Sequence, residues 1–173
     1  MLSFGIIILS LLILGILLSL LFPIAGTWER VFEAGQSIWD RERIVFKQFG
    51  FVIIGQQVVS GGVQKFFGLA LGPSIWLRRR DFGVQALMHE GFPEPIAKIA
   101  QGRVLLHLSL KLSADRLFLK GYATPMKVEF YEDGSGIKSI HPVEPALRTY
   151  RKTELTPVQQ PNLAAVGHMR AEV

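Results

Sequence analysis

The feature that most constrains this chain is its opening run: no side chain between Met1 and Trp28 carries a charge. Leu2 to Ala25 reads LSFGIIILSLLILGILLSLLFPIA. As a helix this stretch extends roughly 36 Å at about 1.5 Å per residue. The hydrocarbon core of a bilayer is about 30 Å thick, so the run predicts an uncleaved transmembrane helix over residues 1–26. A cleaved signal peptide fits less well. No Lys or Arg precedes the apolar stretch, the stretch is too long, and Phe22-Pro23-Ile24-Ala25 is a poor cleavage site. Arg30, Arg41, Arg43 and Lys47 follow the run, and the positive-inside rule then places the rest of the chain on the cytoplasmic side of a single-pass protein. Gly15 and Ser19 form a small-xxx-small pair, which predicts a helix–helix contact within the membrane.

Residues 27–43 follow with Trp28, Val31, Phe32, Gly35, Ile38 and Trp39 at helical spacing. That period predicts an amphipathic juxtamembrane helix, with Thr27 as its N-cap. Trp28, Phe32 and Trp39 would then lie at the membrane interface, where aromatic residues concentrate. The same stripe is equally compatible with packing on the chain's own domain, with Trp39 in the core.

From Ile44 onwards the pattern is that of strands. Phe49 to Gly55 is a continuous apolar run, Ser60-Gly61-Gly62 a turn and Val63 to Leu71 a returning strand. A second membrane span over 49–72 is disfavoured by Gln56, Gln57, Gln64 and Lys65. Ile75 to Leu77 reads as a short strand. Phe82–Glu90 and Pro93–Gln101 read as two short helices, ended by Gly91 and Gly102. The clearest alternation runs from Arg103 to Ser113, with Val104, Leu106, Leu108, Leu110 and Leu112 on one side and only Leu105 out of place. Leu117–Ala123, Met126–Tyr131 and Ile137–Ile140 complete the strands. The expected fold class is α+β, mainly antiparallel β: a membrane helix, a juxtamembrane helix, a β-rich domain over 44–142 with a helical insert at 82–101, and an extended Pro- and Gln-containing tail over 143–173.

The chemistry is sparse. The chain has no cysteine, which excludes disulfides, thiolate metal sites and a cysteine nucleophile. The six glycines between Gly50 and Gly72 match neither a dinucleotide fingerprint nor a P-loop. His89, His107, His141 and His168 lack metal-ligand spacing. No nucleophile elbow is present, and Asp133-Gly134-Ser135-Gly136 reads as a tight turn, not a calcium loop. No catalytic residue, cofactor or metal site is expected, and the chain reads as a non-enzyme. The net charge of +5 points to an anionic surface, and nucleic acid is not expected without denser basic and aromatic clustering. Arg78-Arg79-Arg80 is the strongest basic feature, three guanidinium groups beside a single Asp81, placed to meet anionic lipid or an acidic partner. Together these features predict a membrane-anchored accessory, assembly or scaffold subunit of a larger complex, in contact with membrane lipids and other subunits, with a homo-oligomer left open. The alternative is a membrane-tethered lipid- or small-ligand-binding module.

Overall fold

The computed structural model describes residues 2–32, 42–133 and 135–153. Helix α1 (Leu2–Leu21) precedes β1 (Gly26–Val31), β2 (Arg43–Phe49), β3 (Val52–Val59), β4 (Gly62–Leu71) and β5 (Ser74–Phe82). Helices α2 (Val84–His89) and α3 (Glu94–Ala100) interrupt the strands, and β6 (Val104–Leu112), β7 (Phe118–Phe130), β8 (Ile137–Pro142) and β9 (Ala146–Thr153) follow. Strands β1 to β7 form an antiparallel meander. β9 then inserts between β7 and β1, pairing Leu119 with Tyr150 and Trp28 with Lys152. With β6 also paired to β7, eight strands close into a barrel. β8 hangs on the distal half of β7, pairing Val128 with Ile140.

The fold is therefore a closed antiparallel β-barrel with few helices, not the expected α+β domain behind a membrane anchor. Closure satisfies the backbone groups that an open sheet would leave on its edges. Several expectations change with it. Among the described residues, no helix is long and apolar enough to cross a membrane. The predicted continuous span of residues 1–26 divides at Phe22-Pro23, because the chain needs its last apolar residues elsewhere. Ile24 is fully buried in the barrel core, Phe22 packs against that core, and the Ile24 N–H donates to Gln48 Oε1 at 2.7 Å. The transmembrane anchor, the single-pass placement and the cytoplasmic orientation inferred from it are not supported.

The expected amphipathic helix over 27–43 is likewise replaced, in its described part, by β1. Trp28 and Thr27 are buried, and the Trp28 Nε1–H donates to Ile24 O at 2.8 Å. The section read as an extended tail contributes β9, which closes the barrel.

Alternation explains the rest. Inward residues Ile44, Phe46, Ile53, Phe66, Ile75, Leu77, Leu106, Leu108, Leu110, Leu119 and Tyr150 form one core. Phe46 and Phe66 meet edge-on, with ring centroids 6.1 Å apart. Gly55 is required there, since an added Cβ would stand 2.5 Å from the Phe46 ring. A satellite core of Leu87, Ala97, Ala100 and Leu105 lies under α2 and α3, sealed by Phe92, Val128 and Ile137. At the opposite end, α1 abuts the strand turns: Gly15 faces the Phe51 ring, Gly50 faces Ile16 and Gly72 faces Phe22.

Candidate functional site

One end of the barrel changes character. Following the inward face of each strand toward α2, apolar residues give way to polar ones at the same level. Trp28 is followed by Arg30, Ile53 and Gly55 by Gln57, and Leu77 by Arg79 and Asp81. In the strands that run the other way, Gln64 precedes Phe66, Arg148 precedes Tyr150 and Glu42 precedes Ile44. Period-two alternation thus delivers polar side chains from five strands, and from Glu42 just ahead of β2, into one mouth.

They organise as two charge clusters. In the first, Glu42 accepts hydrogen bonds from Arg148 Nη1 at 2.9 and 3.0 Å and from the Tyr150 hydroxyl at 2.8 Å. Arg30 Nη1 adds a longer contact at 3.4 Å. Burial works against the charge of Arg148, but Glu42 and Tyr150 together outweigh it and hold the guanidinium above its usual pKa. Burial pushes the Tyr150 hydroxyl well above its ordinary range, and Glu42 adds to this, so the phenol is a permanent donor. In the second cluster, Arg79 Nη2 donates to Asp81 Oδ2 at 2.7 Å and to Glu90 at 3.2 and 3.3 Å. Gln64 Nε2 donates to the same Glu90 at 3.0 Å. Asp81 is only 1% exposed, and burial raises its carboxyl to about 6 in spite of Arg79.

Both clusters border a cavity of about 710 Å³, whose wall also includes Phe32, Gln57, Ser60, Ala86 and His89. Gln57 Oε1, Arg79 Nε, Asp81 Oδ1 and Arg148 Nε are buried without a hydrogen-bond partner among the described residues. Buried polar atoms are normally paired; these four are exceptions, and Gln57, Arg79 and Arg148 are also residues that line the cavity. Three guanidinium groups face Glu42, Glu90 and the neighbouring Asp81, so the charges of the described residues at the mouth are close to balance. Among the described residues, no group of His, Asp and Glu is arranged to hold a metal ion.

The structure separates the residues singled out in the sequence. Of the arginine triplet, Arg79 turns inward to the cavity, while Arg78 and Arg80 point outward on β5. Trp28 is buried in the core, and Phe32 lines the cavity. Trp39 lies outside the described residues. Gly15 faces Phe51 of the same chain, and Ser19 lies within α1. Sequence reasoning missed Glu42, Arg148 and Tyr150, which are brought together over separations of 106 and 108 residues. Polar residues at inward positions of Gln57, Gln64, Arg79 and Asp81 were the available signal.

Comparison with known protein families, curated proteins and solved structures finds no match for this chain.

Proposed function

We propose that this protein is a binding module that holds a small neutral or zwitterionic molecule in the polar mouth of its barrel. The observation that carries this reading is Gln57 Oε1. Gln57 lines the cavity and is only 8% exposed, and its Oε1 is a buried acceptor without a partner among the described residues. Eight-stranded barrels have room for one small ligand, and the cavity volume lies in the range of small-molecule sites. Balanced charge favours a ligand offering both donors and acceptors over a polyanion, since the guanidinium groups already hold carboxylates.

The test is native mass spectrometry of the full chain released from mild detergent. A discrete bound mass is expected in the wild type. Gln57→Leu, close in volume but without the unpaired acceptor, is expected to lose that mass while keeping its thermal midpoint. A folded wild type with no bound mass would count against the reading.

The accessory- or scaffold-subunit reading has a separate support. Ile6, Leu9, Leu11 and Leu14 of α1 stand 52–63% exposed, an unusual density of bare aliphatic surface. A stoichiometric protein companion in the same preparation would favour it.

A further inference from the structure

We infer that the outer wall of β2–β5, at the end adjoining α1, docks on an anionic lipid surface. The outward positions there form a continuous apolar patch. The pairings Phe49 with Val52, Ile54 with Phe67, and Leu69 with Trp76 place these side chains side by side. Phe49, Phe67, Leu71 and Trp76 stand 63, 60, 53 and 48% exposed. Patches of this kind on a barrel wall mark interaction sites.

The charges around the patch have one sign. Along β2–β6 the outward charged residues are Arg43, Lys47, Lys65, Arg78, Arg80 and Lys111; the one acid in these strands, Asp81, points into the barrel. Arg43 is engaged with Glu29 at 3.3 Å. The others flank the apolar patch, with Arg78 beside Phe67 across the strands and Lys111 beside Ser74. A second copy of this chain would bring like charges together, so self-association through this face is disfavoured. A phospholipid surface of anionic composition offers what the face needs, apolar chains beneath negative headgroups. The exposed aliphatic side chains of α1 belong to the helix that abuts the same end of the barrel, where Gly15 meets Phe51. The arginine triplet is thereby divided: Arg79 serves the cavity, while Arg78 and Arg80 serve the lipid face.

Trp76 reports the contact directly. The full chain carrying Trp39→Phe retains Trp76 on the patch and Trp28 fully buried. It is mixed with vesicles of two parts phosphatidylcholine to one part phosphatidylglycerol, with brominated acyl chains. Quenching of Trp76 is expected, weak on pure phosphatidylcholine and reduced by salt. Lys65→Glu, Arg78→Glu and Arg80→Glu together are expected to weaken anionic-vesicle binding by about tenfold or more. Phe67→Gln, a change at an exposed site that leaves the fold intact, is expected to lower the quenching on its own. Flotation with vesicles but no quenching would show that α1 alone makes the contact and would overturn the proposal. Quenching indifferent to headgroup charge and to the three reversals would overturn it as well. An absence of vesicle binding would likewise overturn the proposal and leave an acidic protein as the partner of the cations.

Discussion

Glu42 holds one wall of the mouth by itself. It is the shared acceptor of Arg148, Tyr150 and Arg30, so its removal strands a buried guanidinium and a buried phenol. Glu42→Ala is expected to cost about 3–5 kcal/mol. Tyr150→Phe, which removes one donor and leaves the ion pair, is expected to cost about 1 kcal/mol. Urea midpoints of the two variants check the order, and equal losses would show that the cluster is not centred on Glu42.

Asp81 predicts a pH dependence of opposite sense to that of an ordinary ion-paired carboxylate. Its pKa is about 6 when folded against 3.8 ordinarily, so the folded chain holds this proton more tightly. The associated stability is fully present below about pH 4 and is lost as pH rises through about 6. Two units correspond to roughly 3 kcal/mol. Wild type should therefore lose about that much relative to Asp81→Asn between pH 4 and pH 7, measured by unfolding at several pH values. Parallel curves for the two proteins would refute the buried-carboxylate account.

At the level of elements, legibility followed burial on one face. The strand expected over Arg103–Ser113 is β6, because Leu106, Leu108, Leu110 and Leu112 all turn to the barrel core. Leu105, the one residue out of pattern, is the one that turns to the satellite core under the helices. β1 was illegible for the converse reason. Thr27 and Trp28 are both buried, so no alternation shows, and Trp28, Val31 and Phe32 happen to fall at helical spacing. β9 carries only one fully buried residue, Tyr150, and a strand with so little apolar pattern reads as tail. The mouth was illegible as a site because its members come from five strands and from Glu42 and Glu90 outside them; only the inward phase of Gln57, Gln64, Arg79 and Asp81 hinted at it. Close strand approach adds a prediction here. A Cβ at Gly121 would stand 2.0 Å from Ser109 O on the neighbouring β6. Gly121→Ala should therefore destabilise by about 1–3 kcal/mol through forced displacement of backbone, read as a lower thermal midpoint. An unchanged midpoint would mean that the two strands separate there at no cost.

For the whole molecule, closure is the property from which both surfaces follow. Pairing β1 with β9 turns a meander into a container, sending one set of alternate residues to a core with a polar mouth and the other to a basic and apolar exterior. That pairing joins segments from opposite ends of the described chain, and such contacts form late because the entropy of closing a long loop opposes them. It is also the feature easiest to trap, since the protein contains no cysteine. Glu29 and Arg151 are direct partners in the β1–β9 register, and both are at least partly accessible. Converting both to cysteine should give a single intramolecular disulfide on mild oxidation. Crossing so long a loop, the bond should stabilise the oxidised form by up to about 4–5 kcal/mol over the reduced form. The out-of-register pair of Glu29→Cys with Leu147→Cys, an exposed position on β9 outside the mouth, should cross-link slowly or not at all, because strand partners meet at fixed positions. Equal cross-linking of the two pairs would mean that β9 slides along β1. In that case Arg148 and Tyr150 would not be held against Glu42, and the mouth would lack the fixed geometry on which ligand selection depends.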